Sequence, residues 1–333
     1  MKKMFLAVRL IAVFSMLVST LALSSSQSFA KDDVIRLKMG FVDPVTSNYG
    51  KGGLRVAEEV KKATNGRIII EVFGSSQLGN ERDMYEGAQL GTVDIATFAN
   101  AVLSNFIPEV AILDQPFLFQ NAVQAHKAVD GKFGDLIKKK AEGQGIHIVG
   151  WMESGFRNVF SKKPIKTLAD FKGVKIRTME NKTHMAFFSA LGAIPTPMAS
   201  GEQFTALQQG TIDAAENATA NVLANKYYEV VKNITRSQHV FVYIGIGVSD
   251  KAWKKIPADL RKPFVEAVLR GCEYQRGLLV EANKDAEVQL KKLGVQFYDI
   301  DTAALKKQVA PAMSPFLKNI PKDWVNALNE SIK

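Results

Sequence analysis

Short runs of period-two hydrophobicity alternate with helical runs along almost the whole chain. Residues 34–41 put apolar side chains at alternate positions around Lys38, the pattern of a half-buried strand. A turn follows at 43–48, then a helical pattern over about 52–63 that Asn65-Gly66 stops. The β-branched run 67–73 predicts a strand, 81–90 a helix and 93–98 a strand. Further strands are expected at 146–151, 174–178, 194–197, 212–215, 240–248 and 295–298. Helices are expected at 133–143, 181–191 and 203–209. From 258 to 293 the pattern is helical for an unusual length, with Gly271 and Gly277 as weak points. Such alternation predicts an α/β fold with mainly parallel sheets.

One six-residue string occurs twice in similar form. Gly91-Thr-Val-Asp-Ile-Ala96 returns as Gly210-Thr-Ile-Asp-Ala-Ala215, each after a helix and each opening a strand. A glycine that caps a helix before a short strand explains both copies. Two copies of one helix–strand unit suggest two similar lobes, and 333 residues suit two domains. Ligands of open α/β sheets sit beyond the carboxyl ends of the strands. The positions to watch are therefore 43–49, 98–100, 151–157, 178–181 and 216–218.

The N-terminus carries Lys2, Lys3 and Arg9, an uncharged apolar run over 10–23, and Ser28-Phe29-Ala30 before Lys31. This is the pattern of a secretory signal peptide cleaved after Ala30. The apolar run of about 14 residues is short of the roughly 20 that span a bilayer. No later segment is a membrane candidate, so the product is expected to be exported to a bacterial periplasm and not embedded in the membrane. The formal net charge of +10 falls to about +7 when the leader's three basic residues leave. The remaining Lys and Arg are scattered as solvated faces, without zinc-finger or RNA-binding spacing, and nucleic acid is not an expected partner. The single cysteine, Cys272, forms no intrachain bridge and excludes cysteine-rich zinc modules.

Enzyme signatures are missing. There is no His-Glu-x-x-His, no Gly-x-Ser-x-Gly and no Walker lysine loop, and the four histidines lack metal-ligand spacing. Gly245-Ile-Gly247 begins like a dinucleotide fingerprint but lacks its third glycine. No metal, cofactor or catalytic residue is expected. Acid–base carboxylate pairs stay open, because proximity in space is not visible in sequence.

Four blocks carry a resemblance: Glu153-Ser-Gly-Phe-Arg157, Lys172-Gly-Val-Lys-Ile-Arg177, Ile194-Pro-Thr-Pro-Met198 and Leu207-Gln-Gln-Gly-Thr-Ile-Asp-Ala-Ala-Glu-Asn217. Gly74-Ser-Ser-Gln-Leu-Gly79 and Asp114-Gln-Pro-Phe-Leu-Phe119 add to it. In this order, behind a leader, they resemble the periplasmic solute-binding proteins of tripartite ATP-independent (TRAP) transporters, of the C4-dicarboxylate-binding (DctP) type. The resemblance implies a two-lobed periplasmic binding protein fold, with a hinge and a long C-terminal helix spanning both lobes. It implies one lobe from residues 31–153 with about 245–280, and a second from about 154–244 with 281–333. It implies capture of a small carboxylate between the lobes and delivery to an ion-gradient-driven TRAP permease, with a monomer as the usual state. A protein feeding a periplasmic sensor is the first alternative, a periplasmic α/β enzyme the second.

Arg177 ends an apolar strand, where a guanidinium can reach into a cleft and grip a carboxylate with two hydrogen bonds, or else pair with a surface carboxylate. The resemblance makes it the main carboxylate-binding residue, with Arg157 as the second arginine and Asn217 as a hydrogen-bonding partner. Asn217 also suits a helix cap. Asn100, Asn48 and Tyr49 in loops, and Trp151 and Glu153 after a strand, complete the candidate ligand-binding set. Glu153 is also placed to orient Arg157. The solute stays open among C4-dicarboxylates, sugar acids, 2-oxo or 2-hydroxy acids and aromatic acids.

Overall fold

The structure is a computed structural model that describes residues 34–333. The expected leader and its cleavage point lie outside the described residues. The chain opens as β1 (Ile35–Gly40), α1 (Asn48–Ala63), β2 (Ile68–Phe73), α2 (Glu81–Gln89) and β3 (Ile95–Ala99). Next come α3 (Asn100–Leu103), a 3₁₀ turn (Pro108–Asp114), α4 (Ala122–Asp130), α5 (Lys132–Glu142) and the long strand β4 (Ile146–Phe156). After β5 (Asn158–Ser161) a second run follows: β6 (Lys175–Thr178), α6 (Lys182–Ala190), β7 (Ile194–Pro197), α7 (Gln203–Gln209) and β8 (Ala214–Asn217). The chain ends through α8 (Thr219–Ala224), β9 (Asn233–Arg236), β10 (Phe241–Ser249), α9 (Asp250–Lys255), α10 (Ala258–Lys292), β11 (Gln296–Asp299), α11 (Thr302–Lys318) and α12 (Lys322–Ser331).

Two sheets result, and each carries a lobe. The first has the order β2-β1-β3-β10-β4, the second, from its opposite edge, β7-β6-β8-β5-β9-β11. Each β-α-β-α-β run therefore lays its three strands down in the same spatial order. In both sheets the next strand runs against all the others: β10 is antiparallel to β3 and β4, and β5 to β8 and β9. Each reversed strand arrives from the other sheet, β5 directly after β4 and β10 directly after β9. The sheets are thus mainly parallel, with one crossing strand in each.

The repeated string does the same job in both lobes. Gly91 and Gly210 are left-handed, at φ +72° and +79°. The amides after each glycine turn back to the preceding helix: Thr92 and Val93 donate to the Gly87 carbonyl, Thr211 and Ile212 to that of Ala206. The Asp94 carboxylate then accepts from the Lys38 amide of β1 at 3.0 Å, and Asp213 from the Lys175 amide of β6 at 3.0 Å. Because those amides complete the helix ends, β3 and β8 begin two residues later than the hydrophobic pattern suggests. Similarly α1 begins at Asn48, ahead of its apolar stripe, because the Ser47 hydroxyl caps it by accepting from the Gly50 amide.

Helix α10 is 35 residues long, about 52 Å at 1.5 Å per residue. Phe264, Val268 and Cys272 enter the first lobe's core beside Val56, while Leu279, Ala286 and Leu290 enter the second's beside Phe160. Neither Gly271 nor Gly277 breaks it. Gly271 is required by proximity: an added Cβ would sit 2.9 Å from the Val56 backbone of α1. The last helix, α12, returns to the first lobe, where Trp324 stacks edge-on with Phe133 of α5. The expected assignment of 281–333 to the second lobe therefore does not extend to α12.

Candidate functional site

The carboxyl ends of the parallel strands of both sheets open on one cavity, with about 340 Å³ of atom-free space, part of it open to solvent. Its polar wall is Asp43, Tyr49, Glu81, Arg157, Arg177 and Asn217, with Ser200 at one side. Its apolar floor includes Val242 and Ile244, alternate residues of the crossing strand β10, with Met179 and Ala99.

Arg177 is the third residue of β6 and is 3% exposed. Its Nε and Nη2 donate to the Met198 carbonyl at 3.0 and 2.8 Å, which fixes the plane of the guanidinium. Among the described residues it makes no ion pair. Burial weakens its charge, Glu216 favours it and neighbouring Arg157 opposes it, leaving its pKa lowered.

Arg157 is differently placed. It lies between β4 and β5, and its fork is closed by Glu216, through Nε to Oε2 and through Nη2 to Oε1 at 2.9 Å. Its Nη1 donates to Asn217 Oδ1 at 2.8 Å and to the Ser154 hydroxyl. Burial alone would disfavour both charges. Glu216 more than offsets it for Arg157, and Arg157, with the His239 ring 3.6 Å away, holds the Glu216 carboxyl far below the ordinary range. Arg157 is the fixed half of a neutral pair, while Arg177 is a buried cation without a carboxylate partner.

Asn217 ends β8. Its Oδ1 accepts from Arg157, from Asn221 Nδ2 at 2.9 Å and from the Ala218 amide at 2.9 Å. The side chain therefore braces the turn that leads into α8, without capping the helix itself, and lines the cavity. The Tyr49 hydroxyl accepts from Asn221 Nδ2 at 2.8 Å, joining α1 of the first lobe to α8 of the second.

Four of the eight candidate side chains meet here: Arg177, Arg157, Asn217 and Tyr49. The other four do not line the cavity. Asn100 is fully buried and spends both ends of its amide internally, donating to Asp114 at 2.7 Å and accepting from the Tyr243 amide at 2.8 Å. Glu153 pairs with His126, and its backbone is clamped by Gln275 of α10. The orienting role considered for Glu153 on Arg157 belongs to Glu216. Trp151 is buried in the first core against Tyr243. Asn48 opens α1, buried.

Two carboxyls and a hydroxyl also line the cavity: Asp43 falls in the watched window 43–49 without being a candidate ligand residue, while Glu81 and Ser200 lie outside the watched positions. Asp43 is buried in the turn after β1, and Asn225 Nδ2 donates to it at 2.8 Å. Burial pushes it up to about 6, against the Asn225 bond and both arginines. Glu81 is the first residue of α2 and accepts from the Ala99 amide at 3.0 Å. Burial pushes it up to about 7, opposed by Arg177 and that amide, with Asp43 adding to the rise. Glu81 follows β2, and Ser200 follows β7, the equivalent strand of the other lobe. The strand-end rule applied to those two strands finds both residues.

Among the described residues no His, Cys, Asp and Glu cluster suits a metal, and no helix is long and apolar enough to cross a membrane. The arrangement can hold a small anion by one bidentate cation and desolvate it between two lobes.

Comparisons with known proteins bear on the family and the fold. A curated solute-binding protein of Verminephrobacter eiseniae is 35% identical over 80% of this chain and 80% of its own length. A TRAP periplasmic solute-binding protein of Polaromonas, solved with bound D-erythronate, superposes with a TM-score of 0.85 at 38% identity, over 88% of this chain and 98% of that one. A second, from Bordetella bronchispeptica with density assigned as pantoate, has a TM-score of 0.85 at 32% identity, over 89% and 99%. The family model described as bacterial extracellular solute-binding protein, family 7 (DctP), matches residues 39–320. With two crossed α/β lobes, a spanning helix and a buried arginine at their junction, the chain belongs to this family of TRAP solute-binding proteins.

Proposed function

We propose that the protein is exported, its leader cleaved after Ala30, and that it captures a small hydroxylated monocarboxylate for a TRAP permease. The observation that carries this is Arg177: a buried guanidinium, held flat by the Met198 carbonyl, facing a cavity and lacking an ion-pair partner among the described residues. A ligand carboxylate supplies the missing charge and takes the bidentate bonds. Asn217, whose Oδ1 is already occupied, offers its amide N–H. Arg157 sets the field and holds Asn217 in place.

The far side of the cavity argues for a neutral, hydroxyl-bearing tail. A second carboxylate, as in a C4-dicarboxylate, would meet Asp43 and Glu81. Hydroxyls can donate to these carboxyls when ionised and accept from them when protonated. The D-erythronate and pantoate of the relatives fit that description, each with one carboxylate and a short hydroxylated chain. Binding closes the lobes, and the solute leaves chemically unchanged.

A thermal-shift screen of ligand-stripped protein against organic acids, neutral sugars and amino acids tests the reading. A ligand at 100 times its dissociation constant adds about 2.7 kcal/mol of stability. Shifts confined to hydroxylated monocarboxylates, and lost in Arg177→Ala, are expected. Shifts with neutral sugars alone would refute the arginine grip, and a preference for C4-dicarboxylates would refute the neutral-tail reading.

A further inference from the structure

Five ionisable side chains dominate the charge of the cavity. Arg157 and Glu216 cancel as a closed pair. What remains is one cation, Arg177, facing two carboxyls, Asp43 and Glu81. With both carboxyls ionised the empty site is already net negative, and a carboxylate ligand would make it more so. With both protonated the empty site is net positive and becomes neutral when the ligand enters. A desolvated cavity strongly disfavours uncompensated charge.

We infer that closure over a carboxylate ligand takes up protons onto Asp43 and Glu81, making capture a proton-coupled event. The inference rests on the reading of the cavity as a carboxylate site. The surroundings of both groups agree with it. Glu81 meets Arg177 and Arg157 from the second lobe, Asp43 from β1's turn and the Ala99 amide from β3. On its own helix Arg82 is engaged by Glu86 and Glu180, and Asp83 by the Asn80 amide. Asp43 meets Asn225, both arginines and the phenols of Tyr49 and Tyr227. On the far side of Glu216, burial lowers His239 against the pull of Glu216, and His184 lies near. Even with two arginines nearby, burial leaves Asp43 at about 6 and Glu81 at about 7. In an open cleft, water returns both toward the ordinary carboxylate range. The difference is the proton uptake.

The sign follows from linkage. Groups whose values rise on closure favour the closed complex at low pH and lose that contribution as pH climbs through 6 and 7. The test is titration calorimetry with D-erythronate, pantoate and D-galactonate, in phosphate and imidazole, buffers of small and large ionisation enthalpy. The apparent heats should differ between buffers by an uptake of about one proton per ligand near pH 6, and affinity should weaken about tenfold or more from pH 5 to pH 8. Glu81→Gln should flatten the profile, and Asp43→Asn carries the same test if that variant fails to fold. Binding with identical heats in both buffers and an affinity constant across this range would overturn the inference while leaving the binding function intact. Binding of no probe at any pH would instead overturn the carboxylate-site reading beneath it.

Discussion

Arg157 and Arg177 bring the same charge to the same cavity and meet opposite partners. Glu216 closes the fork of Arg157, so that pair is structural; truncating one member of a buried pair costs about 3–5 kcal/mol. Glu216→Gln should therefore lower the unfolding free energy from denaturant titration by an amount in that range, and an unchanged free energy would show the pair to be dispensable. The pair also contributes to acid stability. Glu216 is held below its ordinary value, so its contribution is present above the usual Glu range and is lost as pH falls toward the folded value. Arg177 lacks such a partner, and removing one side of a buried charge contact costs about 2–5 kcal/mol, so Arg177→Ala should weaken ligand affinity about 30-fold or more. Arg177→Lys should recover part of this by charge but not the two-bond geometry. At this scale the sequence is legible where a residue sits at a strand's carboxyl end: Arg177, Asn217 and Tyr49 emerge from that rule together with the family blocks. Val242 and Ile244 do not, because their facing depends on how β10 is paired. Asn100 and Glu153 mislead because position after a strand says nothing about the buried Asp114 and His126 that engage them.

Helices and strands show where local signals suffice. The two β-α-β-α-β runs and the repeated Gly-Thr-x-Asp string are visible in sequence, since each depends on contacts a few residues apart. The crossing is not: β10 is legible as a strand at 240–248, but its place between β3 and β4, and β5 altogether, are specified by partners far away in the chain. Helix α10 offers a paired test of how a long element tolerates change. At Gly271 a side chain meets the α1 backbone, and overpacking of this kind costs about 1–3 kcal/mol, so Gly271→Val should be destabilised by that amount. At Gly277 an added methyl meets nothing within 4 Å, and Gly277→Ala should be stabilised by about 0.5–1 kcal/mol. Equal melting temperatures for the two variants would contradict this account of the helix.

Across the whole molecule the lobes are joined by contacts at helix ends. Asn181, which caps α6, donates to Asp114 Oδ2 at 2.7 Å and to the Ala101 carbonyl at 3.0 Å. Asn221 and Asn225 of the α8 segment reach Tyr49 and Asp43. A hydrogen bond of this kind contributes about 1 kcal/mol, so Asn225→Ala should weaken ligand binding about fivefold while leaving the melting temperature of the ligand-free protein nearly unchanged. Loss of stability without loss of affinity would assign Asn225 to the fold alone. Ligand addition should also reduce the radius of gyration in solution scattering as the lobes close. That lobes exist is legible in the sequence; which contacts close them is not, because they join residues more than 60 positions apart. The most direct test of the central claim is a crystal structure of the mature protein with D-erythronate. The account predicts the ligand carboxylate against the free edge of Arg177 and the Asn217 amide, with hydroxyls toward Asp43 and Glu81. A carboxylate seated away from Arg177, or a ligand bound outside this cavity, would contradict it.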